Sequence, residues 1–104
     1  MQEITVEELK KMKDNGEDFQ LIDVREDFEY EMSNLEGKNI PLGGIMTETD
    51  SISHDKPVII MCRSGKRSAM AVMQLETQGY TNLYNLQGGI LAWADRIDPT
   101  VTVY

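Results

Sequence analysis

Cys62 is the only cysteine of the chain, and it opens the run Cys62-Arg63-Ser64-Gly65-Lys66-Arg67-Ser68. A thiolate, not a thiol, is the nucleophile, and near its ordinary pKa of ~8.5 a cysteine is only about 3% ionised at pH 7. Lowering that pKa by about two units takes roughly 2.7 kcal/mol of preference for the anion. A helix N-terminus supplies ~0.3–1 kcal/mol, or ~2 kcal/mol when partly buried. Cations and direct N–H donors have to supply the remainder. The run after Cys62 has both, with Arg63, Lys66 and Arg67 for charge and Gly65 to let the backbone reverse close to the sulfur. A lone cysteine at the end of a strand is often an inert small hydrophobe, but the glycine, the cations and the helix start that follow weigh against that reading. Arg67 has two open roles, bonding a carboxylate or loop carbonyls, or touching a substrate. Arg63 and Lys66, being less constrained, are the better candidates for drawing an anion to the mouth.

The elements that must position this sulfur can be read outward from it. Lys56 to Cys62 is β-branched and apolar on both faces, as expected for the central strand of a parallel sheet. The pattern predicts Cys62 as its last residue and a helix from near Ser68 to Gln78, with Ala69, Val72, Met73 and Leu75 covering the sheet and Gly79 ending it. Such a strand, turn and helix N-terminus form a nest of N–H groups above the sulfur. In an open α/β sheet ligands bind beyond the carboxyl ends of the strands, which is where Cys62 falls. Thr5 with Glu8 forms a capping-box pattern for a first helix that Asn15-Gly16 stops. Phe19 to Val24 reads as a buried strand, Asp27 to Met32 as a short helix and Asn39 to Leu42 as a short extended piece. A short helix is expected around Ile45 to Thr49, a strand at Leu83 to Leu86 and a helix at Ile90 to Arg96. The tail from Asp98 to Tyr104 reads as irregular, with Val101 and Val103 against an edge. Strands alternating with helices predict a parallel α/β sheet of about five strands in one domain spanning residues 1–104.

Composition narrows the partners. With 18 acidic against 10 basic side chains the net charge is −8, which argues against nucleic acid and against an anionic membrane surface. The charge is uneven: residues 1–61 sum to −9 and residues 62–104 to +1, so an acidic chain concentrates its cations at its one thiol. One Cys and one His exclude an internal disulfide and a multi-thiolate zinc site. No signal segment or membrane span is evident, and a reducing cytoplasm fits best. His54, ahead of the central strand, reads as a surface residue. Asp23 and Arg25 fall at the end of a neighbouring strand, near the same rim; the plainer reading is an ion pair that supports the loop, the other a catalytic role.

The run CRSGKRS resembles the active-site loop of the rhodanese family of sulfurtransferases. LIDVRE with Tyr30, then Gly37 with Asn39-Ile40-Pro41-Leu42, and GYTNLYNLQGGILAW from Gly79 to Trp93 resemble further family segments, in family order. One departure is Asn34-Leu35 ahead of Gly37, where the family often has His-Ile. The resemblance implies a three-layer α/β fold with a parallel sheet of about five strands flanked by helices. It also implies a mechanism: Cys62 takes sulfane sulfur from thiosulfate or a similar donor as a persulfide and passes it to cyanide or a thiol. The amides from Arg63 through Ser68 would hold the persulfide anion. No metal, organic cofactor or histidine base is implied, and the chain is expected to be a monomer.

EYEMSNLEGKNIPL and GGILAWADRIDPTVTVY further resemble the rhodanese domain appended to ubiquitin-activating-type adenylyltransferases. Those enzymes deliver sulfur to small ubiquitin-like carriers, so a carrier protein and its adenylyltransferase become candidate partners. Two alternatives remain. One is a protein-interaction module on the same fold without catalysis, against which the cysteine itself argues. The other is a cysteine phosphatase or arsenate reductase. Those use Cys-x5-Arg, whereas Arg67 makes Cys-x4-Arg here, a loop too tight for a tetrahedral phosphate.

Overall fold

The protein is described by a computed structural model covering residues 1–103; Tyr104, the end of the tail, lies outside the described residues. The strands are β1 (Glu3–Ile4), β2 (Gln20–Asp23), β3 (Lys38–Asn39), β4 (Val58–Met61) and β5 (Leu83–Leu86), and the helices α1 (Val6–Asp14), α2 (Asp27–Met32), α3 (Lys66–Glu76) and α4 (Gly89–Arg96). All pairings are parallel, in the order β1-β5-β4-β2-β3, which puts β4 at the centre. The expected five-stranded parallel sheet flanked by helices is therefore present.

Side chains alternate across β4, so the apolar run splits between two cores. Val58 and Ile60 join Ala71, Val72 and Leu75 of α3 in one cluster. Ile59 and Met61 join Val6 and Leu9 of α1 and Ile90 and Trp93 of α4 in the other. A strand buried on both faces cannot move without disturbing both layers. This anchors the position of whatever follows Met61.

Several local expectations are met and several corrected. Thr5 and Glu8 form the reciprocal cap of α1, Glu8 N–H donating to Thr5 Oγ1 at 3.1 Å and Thr5 N–H to Glu8 Oε1 at 3.0 Å. Residues 42–51 form two short 3-10 helices, Leu42–Thr47 and Thr49–Ser51, in place of one helix around Ile45 to Thr49. α3 starts at Lys66, two residues ahead of the expected start, because Gly65 at φ +102° turns the chain directly into the helix. Its buried stripe is Ser68, Ala71, Val72 and Leu75, while Met73 is 53% exposed. The spacing 68, 71, 72, 75 is the i, i+3, i+4, i+7 ladder of one helix face, which leaves Met73 on the other side. Val101 and Val103 are half-buried against the α1/α4 cluster. No helix among the described residues is long and apolar enough to cross a membrane.

Candidate active-site loop

Cys62 is the first residue beyond β4 and is 1% exposed. Its Sγ accepts from the backbone N–H of Gly65 at 3.1 Å and lies 3.4 Å from Ser68 Oγ. Burial pushes the thiol's pKa up, but the Ser68 hydroxyl and the N–H groups of Ser68, Gly65 and Ser64 outweigh it and hold it below the ordinary thiol value. The early start of α3 explains this reach. With Gly65 as N-cap, Lys66, Arg67 and Ser68 form the first turn, whose N–H groups have no carbonyl inside the helix. The donors bonded to the sulfur, rather than the neighbouring cations, are the leading source of its anion preference.

The three cations separate into different roles. Arg67 makes a two-pronged bond to Glu29 of α2, with Nη1 to Oε1 at 2.6 Å and Nη2 to Oε2 at 2.9 Å. Of the two roles open for Arg67, the carboxylate bond is the one present. The Arg67 guanidinium is the main reason that the Glu29 carboxyl is lowered to about 2. Lys66 is exposed on the first turn of α3. Arg63 is half-buried and lines a narrow cleft with Met32 and Ser33 of α2's end and Thr102 and Val103 of the tail. Ser64 is exposed at the crest of the turn.

Asp23 and Arg25 form a buried ion pair, Nη2 to Oδ2 at 2.8 Å, with side chains only 1% and 4% exposed. Arg25 also donates to the carbonyls of Ser33 at 2.8 Å and Glu29 at 3.4 Å. The pair thus holds the carbonyl end of α2 and, through it, the carboxylate that grips Arg67. Replacing one member would leave the other charge buried and uncompensated. His54 is exposed and stacks on Tyr80, ring centroids 3.8 Å apart, away from the sulfur loop.

Three contributors escape a reading of the sequence. Glu29 is separated from Arg67 by 38 positions. Asn85 of β5 accepts from Ser68 Oγ at 2.5 Å through Oδ1 and donates from Nδ2 to the carbonyl of Gly65 at 3.2 Å. Gly89 lets α4 press against the loop: N–H groups of Ile90 and Leu91 donate to the carbonyls of Cys62 and Arg63 at 3.0 and 3.1 Å. A Cβ on Gly89 would collide with the Cys62 carbonyl oxygen and stand 2.6 Å from that of Arg63. The Gly88-Gly89 pair is the one visible signal for this contact.

A central parallel strand, a tight cysteine turn and a helix start aimed at the sulfur define an α/β protein built around one anion-holding thiol. The chain belongs to the rhodanese-like family: the model of the rhodanese-like domain matches residues 5–96. A rhodanese-like domain protein from Staphylococcus aureus, known from its crystal structure, is 32% identical and superposes with a TM-score of 0.85 over 100% of this chain and 99% of that one. A protein named sulfurtransferase from Allochromatium vinosum is 38% identical over 93 residues, covering 88% of this chain and 87% of its own length. The probable adenylyltransferase/sulfurtransferase MoeZ of Mycobacterium tuberculosis is 30% identical over 104 residues, covering 97% of this chain. The chain spans about a quarter (26%) of that relative's length.

Proposed function

We propose that the protein is a sulfurtransferase in which Cys62 carries sulfane sulfur as a persulfide. The observation that supports this reading most is the set of donors converging on a buried sulfur, Gly65 N–H at 3.1 Å and the Ser68 hydroxyl at 3.4 Å. With thiosulfate as donor, the Cys62 thiolate attacks the outer, sulfane sulfur. The sulfur–sulfur bond of thiosulfate breaks and sulfite leaves with the bonding pair. The Cys62 persulfide anion then carries the charge the thiolate had. The amides of the loop and first turn of α3, from Arg63 to Ser68, stabilise that anion. An acceptor such as cyanide or a thiol attacks the outer sulfur, and Cys62 departs as thiolate, ready for the next cycle.

Each loop residue has a place in this scheme. Ser64, Gly65 and Ser68 supply hydrogen bonds to sulfur. Arg63 and Lys66 attract the anionic donor, and Arg67, with Asp23 and Arg25 behind it, keeps the first turn of α3 in place. Among acceptors, the sequence similarity to MoeZ favours a small sulfur-carrier protein activated by a separate adenylyltransferase. A reducing cytoplasm suits a reaction that needs Cys62 as a free thiol.

The test is steady-state turnover with thiosulfate and cyanide, read as sulfite and thiocyanate, beside hydrolysis of an aryl phosphate. Double-displacement kinetics, dependent on Cys62 and with no phosphatase activity, are expected. Cys62-dependent phosphate release without sulfite would overturn the reading.

A further inference from the structure

The hydroxyl of Ser68 stands between two acceptors. Its Oγ lies 3.4 Å from Cys62 Sγ and 2.5 Å from Asn85 Oδ1. All three residues are buried, Ser68 at 0%, Cys62 at 1% and Asn85 at 4% exposure. A hydroxyl carries one proton and two lone pairs, so it donates in one direction at a time. With Cys62 as thiol both neighbours are satisfied: S–H donates to Ser68 Oγ, and the Ser68 proton goes to Asn85. With Cys62 as thiolate the sulfur also needs that proton, and Asn85 Oδ1 competes for it. Asn85 is held against turning away, since its Nδ2 donates to the carbonyl of Gly65 at 3.2 Å.

We propose that Asn85 is a positioning residue of the sulfur site, which competes with Cys62 for the single proton of Ser68 and so restrains how readily the sulfur ionises. A thiolate stabilised too strongly is a poorer nucleophile, and Asn85 moderates that stabilisation. Once a second sulfur is attached, the charge moves outward from Sγ toward the loop amides, and the Ser68 proton returns to Asn85. The hydroxyl thus follows the charge through the cycle. The charged groups near Cys62 are Arg67, paired to Glu29 from α2, the loop's Arg63 and Lys66, and the Asp23–Arg25 pair at the end of β2. Asn85 is uncharged, so its substitution changes none of these charges.

The cyclic consequence rests on the sulfurtransferase reading, but the competition belongs to the resting protein. It is therefore tested without any sulfur donor, by the rate of alkylation with neutral iodoacetamide against pH. Asn85→Leu should lower the midpoint and raise the thiolate fraction below it about three- to tenfold. In a Ser68→Ala background the same substitution should change nothing. An unchanged or raised midpoint, or an equal shift without the Ser68 hydroxyl, overturns the proposal. Asn85→Val, β-branched and suited to a strand, repeats the test should leucine not fold. In the unsubstituted protein the carbon-13 shift of the Asn85 side-chain carbonyl should titrate together with Cys62, and a flat response would contradict the relay. Loss of sulfur transfer with these shifts intact would count against the function and leave the relay standing.

Discussion

Two strand-to-helix turns lie side by side in this protein and use the same backbone device for different ends. β4 passes into α3 and its neighbour β5 into α4, each through a left-handed glycine, Gly65 at φ +102° and Gly88 at φ +74°. Both helices therefore begin abruptly, with first-turn N–H groups facing the carboxyl ends of the strands. At α4 these donors go to the carbonyls of Cys62 and Arg63. At α3 the neighbouring donor of Gly65 goes to the sulfur itself. A helix N-terminus carries the same partial charge wherever it occurs; what stands in front of it decides whether it acts as brace or as anion site. Here the brace of one helix holds the loop whose sulfur is bonded at the start of the other.

The comparison is broken most sharply at its glycines. Gly89→Ala drives a methyl group into the carbonyls it braces, and adds a left-handed backbone at φ +56°. It should cost more than ~3 kcal/mol of stability and slow the alkylation of Cys62 at neutral pH. Gly65→Ala meets only ordinary contacts, 3.5 Å to the Gly88 nitrogen and the Leu86 oxygen, at φ +102°. Its cost should be limited to backbone strain of about 1–2 kcal/mol. Urea unfolding of the two variants decides this, and equal losses would mean that the α4 contact is not a brace.

Next in size is the carboxylate behind Arg67. The carboxyl of Glu29 is lowered from 4.5 to about 2, so its ionic contribution is fully present above pH 4.5 and is lost as pH falls through 2. Glu29→Gln should therefore lower stability at pH 7 by about 1–3 kcal/mol and by far less near pH 2. An equal loss at both pH values would assign Glu29 a packing role instead of a charge role. The smallest effect is expected at Ser68. Ser68→Ala removes a donor to sulfur, so the Cys62 midpoint rises and alkylation at neutral pH slows about five- to tenfold. An unchanged pH profile would show that the backbone donors suffice.

What could be read ahead of the structure follows the range of the interactions involved. β4 and the cysteine turn are local: β-branched residues, a glycine and cations within one short segment specify them. The cap of α1 is local too, Thr5 and Glu8 being one turn apart. The start of α3 was not legible, since no side chain caps it and Ser68 carries the residue type of a cap while sitting inside the helix. Glu29 and Asn85 were hidden for a different reason. Each meets the loop only after the sheet order brings α2 beside the start of α3 and β5 beside β4. An acidic residue on a short helix and an asparagine in a strand have no periodic signature of their own. The charge pattern also needs the structure to be understood: the sequence offers cations and N–H donors alike as support for the sulfur, and only the fold shows that Arg67 is bound to Glu29 while direct hydrogen-bond donors hold the thiol down.

The most direct test of the central claim is intact-mass measurement after a brief incubation with thiosulfate and no acceptor. The wild type should gain the mass of one sulfur atom, with one equivalent of sulfite released, and Cys62→Ser should gain none. A wild type that stays unchanged with thiosulfate and other sulfane donors alike, or an adduct that survives in Cys62→Ser, would contradict the assignment of Cys62 as the sulfur carrier.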